Sequence, residues 1–145
     1  MTQRLHREEA KSMTGPTLSG HQVSRGKIGP STLVDLLLER VRQEPDRTAY
    51  TFLRDGETLQ SHLTYGELDE RARALAATLQ SLCAPGARAL LLYPSGLEFI
   101  AAFFGCLYSG VVAVPAYPPH PARPARALHR LRAIVQDAQP ELLLT

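Results

Sequence analysis

Three short runs of almost uninterrupted apolar residues, Ala89–Tyr93, Val111–Val114 and Leu142–Leu144, constrain this chain more than any other feature. A half-exposed strand alternates polar with apolar residues, whereas an unbroken run suits a strand covered on both faces. Each run follows a stretch of helical period. Leu68, Ala72, Leu75, Ala76 and Leu79 share a face before the first, and Ile100, Phe103, Phe104, Leu107 and Tyr108 precede the second. Leu128, Leu131, Val135 and Ala138 form the inward stripe of a third helix, over Ala125–Ala138. Strands that alternate with helices pair in parallel through right-handed crossovers. The expected fold class is α/β, with a parallel βαβαβ unit.

Local punctuation fixes the element ends. Thr64 and Glu67 have the spacing of a capping box, in which each side chain satisfies the other residue's free backbone N–H. Ala84-Pro85-Gly86 closes that helix, Gly110 closes the next, and Pro140 closes the last. Upstream, Ser31 or Thr32 caps a helix with Leu33, Leu36, Leu37 and Val41 on one face and Asp35 in its first turn. Pro45 ends it. Ala49–Arg54 and Thr58–Leu63 read as a hairpin around Asp55-Gly56, a strong two-residue turn signal. Between Pro115 and Pro124 five of ten residues are proline, which neither a central strand nor a helix accommodates. Residues 1–30 show no period and are expected to be a flexible polar tail, so the folded unit is 31–145.

Composition excludes several classes. Lys plus Arg is 16 against 14 for Asp plus Glu, a net charge of +2, so no nucleic-acid partner is expected. The first thirty residues lack the apolar core of a signal peptide, and no apolar stretch reaches membrane-spanning length. Cys83 and Cys106 form no metal-spaced pair and are expected as free thiols. These features place the chain in the cytoplasm.

Candidate sites each meet an ordinary structural reading. Gly26-Lys27-Ile28 lacks the hydroxyl and the glycine spacing of a phosphate-binding loop. Tyr93-Pro94-Ser95-Gly96 lies between a strand and a helix start, where free N–H groups hold anions; capping by Ser95 is the expected reading. The histidines, among them His62, His120 and His129, have no ligand spacing. Asp69 and Glu70 read as an exposed helix face. Phe99, Phe103 and Phe104 fit a core better than an acyl pocket. Arg123, Arg126, His129, Arg130 and Arg132 form a basic cluster outside the apolar stripe, read as solvated or as a contact with a further domain.

With these residues in place, the run from Phe99 to Pro119 resembles the amino-terminal part of fatty-acyl-AMP ligases, a branch of the adenylate-forming (AMP-dependent synthetase and ligase) enzymes. The resemblance extends from about Leu33 to Thr145. It takes in Gln43–Ala49, Leu63–Leu68 and Leu131–Leu143. Thr64, Tyr65, Glu67 and Gly110 look like markers of the whole superfamily, and Pro115, Tyr117, Pro118 and Pro119 like markers of the fatty-acyl-AMP ligase branch. The resemblance implies a protein that uses ATP and Mg to convert a fatty acid into acyl-adenylate and passes the acyl group to an acyl carrier protein. The family's phosphate loop, adenine segment, ribose-binding aspartate and catalytic lysine match nothing here. The resemblance therefore implies no catalytic, cofactor-binding or metal residue in this chain. It implies an incomplete domain, inactive alone, whose marker residues are structural. An acyl-CoA synthetase, a peptide-synthetase adenylation domain and a non-catalytic interaction remnant stay open as alternatives.

Overall fold

The computed structural model describes residues 30–119 and 124–145, without the side chains of 124–127; the expected tail and the rest of the proline-rich connection lie outside the described residues. The order is α1 (Leu33–Gln43), β1 (Thr48–Arg54), β2 (Thr58–Thr64), α2 (Tyr65–Leu82), β3 (Arg88–Leu91), α3 (Leu97–Ser109), β4 (Val112–Pro115), α4 (Pro124–Ala138) and β5 (Leu142–Leu144). β1 and β2 form an antiparallel hairpin. Asp55 and Gly56, the central residues of the turn closed by the Glu57 N–H on Arg54 O, both have positive φ, 54° and 78°, and with Glu57 they make a three-residue loop between the paired Arg54 and Thr58. β3, β4 and β5 form a parallel sheet in the order β4-β3-β5. This is the α/β fold with a hairpin and a βαβαβ unit.

Both early helices start as their sequences dictate. The Asp35 N–H donates to Thr32 Oγ1 at 3.0 Å while the Thr32 N–H donates to Asp35 Oδ2 at 3.1 Å. Thr64 and Glu67 exchange the same pair of bonds at 3.2 and 2.9 Å. Two apolar clusters follow. One joins Leu37, Leu63, Leu68, Ala72, Leu97 and Phe104; the other joins Leu79, Ala89, Leu91, Ala102, Cys106 and Val111. α3 serves both, and Phe103 packs against each, so the aromatic trio is core as expected. α2 and α3 approach closely at Gly105, where an added Cβ would stand 2.8–3.0 Å from Leu75 side-chain atoms.

Several expectations need correction. The first apolar strand ends at Leu91 rather than Tyr93, although the Leu92 N–H still donates to Leu144 O at 2.8 Å. Pro115 closes β4 instead of lying beyond it. β4 is an edge strand, where a missing donor costs nothing if that side is open. Neither flanking strand is buried on both faces: Val112 and Leu143 are 48% and 56% exposed. α4 starts at Pro124, a first-turn position whose N–H would have no partner within the helix. Its stripe is incompletely covered, with Leu128 and Val135 still exposed. On α1, Leu37 and Val41 pack inward while Leu33 and Leu36 are exposed.

Candidate functional site

In open parallel sheets ligands bind beyond the carboxyl ends of the strands. Here that rim is built from Leu92–Gly96 after β3 and Ala116–Pro119 after β4. Ladder bonds continue past the strand ends and hold both: Leu92 N–H to Leu144 O, and Ala116 N–H to Leu91 O at 3.0 Å. Tyr93 turns into the second cluster, and burial, then the nearby Cys106, raises its hydroxyl above the ordinary range. Tyr117 points outward and is 78% exposed, beside the half-buried Pro118 and the exposed Pro119.

At the start of α3 the rim carries a carboxylate in the first turn, Glu98. Gly96 is the N-cap and Ser95 makes no capping bond, contrary to the expectation for it. A Cβ on Gly96 would lie 3.1 Å from Glu98 Oε2, so the carboxylate of the first turn lies close to the N-cap without a capping hydrogen bond.

The eight marker residues fall in three places rather than one. Thr64, Tyr65 and Glu67 start α2 against the connection from α1. There the Tyr65 N–H donates to Arg47 O at 3.0 Å and the Gly66 N–H to Pro45 O at 2.9 Å. The Glu67 carboxyl is held below its usual range, chiefly by the Thr64 N–H. Gly110 ends α3 in the left-handed region, φ 75°, packs on Pro85 and accepts from the Gly86 N–H at 2.8 Å. It lies at the amino edge of the sheet, a strand's length from Pro115, Tyr117, Pro118 and Pro119.

One polar group that periodicity misplaces joins α2 to α3. Asp69 is buried, not on an exposed face. Its Oδ1 accepts from the Tyr108 hydroxyl and its Oδ2 from Arg73 Nε, both at 2.7 Å. The guanidinium carbon lies 5.9 Å from the centroid of the Tyr108 ring. Burial, then the bond to Asp69, pushes the Tyr108 hydroxyl far up, and Asp69 holds Arg73 up. The i,i+4 spacing of Asp69 and Arg73 was the available signal. Arg73 compensates the Asp69 charge, and the group ties α2 to α3. Cys106 is wholly buried, its thiol pushed to about 11 by burial and then by Cys83, and both thiols are free. Among the described residues no three His, Cys, Asp or Glu side chains gather to hold a metal, and no helix is long and apolar enough to cross a membrane.

The rim and its α/β scaffold raise the question of which domain they support. The model of the AMP-binding enzyme family matches residues 37–145. The chain belongs to that family. Among its relatives, this chain is 57% identical over 115 residues to the medium-chain-fatty-acid–acyl-carrier-protein ligase JamA of Moorena producens, covering 79% of this chain and 19% of the relative. It is 37% identical over 115 residues to the long-chain-fatty-acid–AMP ligase FadD26 of Mycobacterium tuberculosis, covering 76% and 19%. The crystal structure of a fatty acid AMP ligase from Legionella pneumophila superposes with a TM-score of 0.71 at 41% identity, covering 77% of this chain and 19% of that one. The chain thus spans about a fifth of the length of the relatives it matches. Its fold is that of the amino-terminal portion of an adenylate-forming domain, related to fatty-acyl-AMP ligases.

Proposed function

We propose that the complete gene product activates a fatty acid with ATP to the acyl-adenylate and transfers the acyl group to an acyl carrier protein. The observation that carries this reading is the 57% identity to a ligase named for a fatty acid and a carrier protein. The branch-type segment Val114–Pro119 at the sheet rim supports it. Bound ATP and Mg supply the adenylyl group and screen its charge. The described residues do not fit them: no three His, Cys, Asp or Glu side chains gather among them to hold a metal, and the first turn of α3 carries a carboxylate, Glu98, where a phosphate would have to bind. No step of the chemistry is therefore assigned to these residues. Their work is to fix the rim, through Leu92 and Ala116, against which the remaining machinery is built. Thr64, Tyr65, Glu67, Gly110, Pro115, Tyr117, Pro118 and Pro119 are structural in this reading, and the protein acts in the cytoplasm.

The test is pyrophosphate release by the complete gene product with ATP, magnesium and a fatty-acid panel, followed by a choice of holo carrier protein or CoA as acceptor. Fatty-acid-dependent release with acyl transfer to the carrier is expected. Release driven by amino acids, or thioester formation with CoA alone, refutes the reading. The 145 residues by themselves are expected to release none.

A further inference from the structure

Three arginines in the early part of this fold sit beside carboxylates, while Arg42 and Arg54 are exposed without one among the described residues. Arg40 and Arg47 both reach Glu44, at 3.0 and 2.9 Å, and Arg73 reaches Asp69. α4 departs from that pattern. His129, Arg130 and Arg132 are exposed, and no Asp or Glu stands three or four residues from either arginine, the spacing at which helical side chains meet. At 100° per residue they cover an arc of about 160° on the side of α4 away from Leu131 and Val135. Over His120–Gln136 the sequence has no acidic residue at all.

The position of this face is as informative as its charge. The last turn of α4 is tied to the amino edge of the sheet: Arg88 Nη1 donates to Ala138 O at 3.0 Å, and the Glu141 N–H donates to Arg88 O at 2.8 Å. Arg88 is the first residue of β3. From Ala138 back to Arg130 the helix rises roughly 12 Å, about the length of a four-residue strand. Arg130 therefore stands level with the carboxyl rim, where Tyr93 and Tyr117 lie.

We infer that the exposed His129–Arg130–Arg132 face of α4 is a docking surface for the acidic surface of the acyl carrier protein, holding the carrier beside the rim. The inference rests on the proposed function and adds the surface that recognises the acceptor. Complementary charge at an interface acts mainly on encounter and orientation, so this face governs capture of the carrier and not formation of the adenylate.

The experiment uses the complete gene product, with the holo form of the carrier protein that serves the Moorena ligase as probe. Two readouts are taken: fatty-acid-dependent ATP–pyrophosphate exchange without carrier, and the KM for the carrier in acyl transfer. R130E/R132E is expected to raise that KM at least tenfold and leave exchange within twofold. R130K/R132K, which keeps the charge, stays within threefold on both, as does R42E/R54E on other exposed arginines. Raising the salt from 50 to 300 mM weakens carrier capture by the wild type and not by R130E/R132E. An unchanged KM in R130E/R132E overturns the inference, as does a parallel loss of exchange, which would mark the arginines as structural. Absent transfer to the carrier with intact exchange overturns docking and leaves fatty-acid activation standing; absent exchange with salt-sensitive carrier binding intact overturns the activation reading alone. RNA binding that the same reversal abolishes while the carrier KM is unmoved assigns the face to nucleic acid instead.

Discussion

Replacing Gly105 by alanine sets two opposed effects of similar size against each other at the α2–α3 contact. In an exposed helix the change stabilises by about 1 kcal/mol, because glycine loses more backbone entropy on folding. At Gly105 the new Cβ would stand 2.8 Å from Leu75 Cδ2, 2.9 Å from its Cβ and 3.0 Å from its Cγ. A rotamer change relieves the first contact but not the second, since Cβ moves only with the helix backbone. Overpacking that requires such shifts costs about 1–3 kcal/mol. The expected net effect of G105A is a destabilisation of about 1–2 kcal/mol, a fall in Tm of roughly 5–10 °C for a domain of this size. Thermal unfolding followed by circular dichroism reads it. Backgrounds at Leu75 separate the causes. L75A removes Cγ and Cδ2 and leaves the Cβ contact, so it recovers only part of the loss. L75G removes all three atoms, and there G105A should be stabilising. A rise in Tm for G105A in the parent chain, or no difference between the two backgrounds, refutes the close-approach argument.

The Asp69 group gives a graded series: Y108F loses one bond and is expected to cost about 1–2 kcal/mol in urea unfolding, and D69A, which strands both Tyr108 and Arg73, clearly more. For Cys106 the folded thiol titrates at about 11 against an ordinary 9.0, so its contribution is whole below pH 9 and lost by pH 11. At most it amounts to roughly 2–3 kcal/mol. Tyr108 shifts in the same direction, and C106A should flatten the alkaline fall in Tm measured between pH 9 and 11. Iodoacetamide at pH 8 should leave Cys106 unmodified in the folded chain and label it in urea; native labelling would contradict its burial. The open side of the parallel sheet predicts binding of an apolar-surface dye by the isolated chain, and V112K/L143E, at two exposed positions, should reduce that signal and the sedimenting aggregate without lowering Tm.

What the sequence disclosed, and what it withheld, follows from the range of the interactions involved. The hairpin turn, both early caps and the end of α3 depend on neighbours within a few residues, and they stand where Asp55-Gly56, Thr32–Asp35, Thr64–Glu67 and Gly110 put them. Burial depends on which strand lies in the middle. Ala89, Leu90 and Leu91 are covered on both faces because β3 is central, whereas equally apolar Val112 and Leu143 sit on flanking strands with one face open. Nothing local distinguishes them. Asp69 misled for the same reason: its partner Tyr108 lies on another helix. For the candidate site, Ala116–Pro119 could be placed after a strand from sequence, but the closing of β4 by Pro115 and the approach of the Glu98 carboxylate to Gly96 are matters of geometry.

The order β4-β3-β5 also sets a timetable for a chain emerging from the ribosome. The middle strand is synthesised first, and β4 pairs with it before α4 exists. The other edge of β3 must wait until Leu142–Leu144 appear. At about 5–20 residues per second that wait lasts roughly 1–6 s. During it Ala89, Leu90 and Leu91 present an apolar strand edge with no partner, the template on which nascent chains mispair. The proline-rich connection and α4 are what the ribosome makes in that interval, so lengthening that segment, or slowing its codons, would prolong the exposure without altering a single contact of the finished fold.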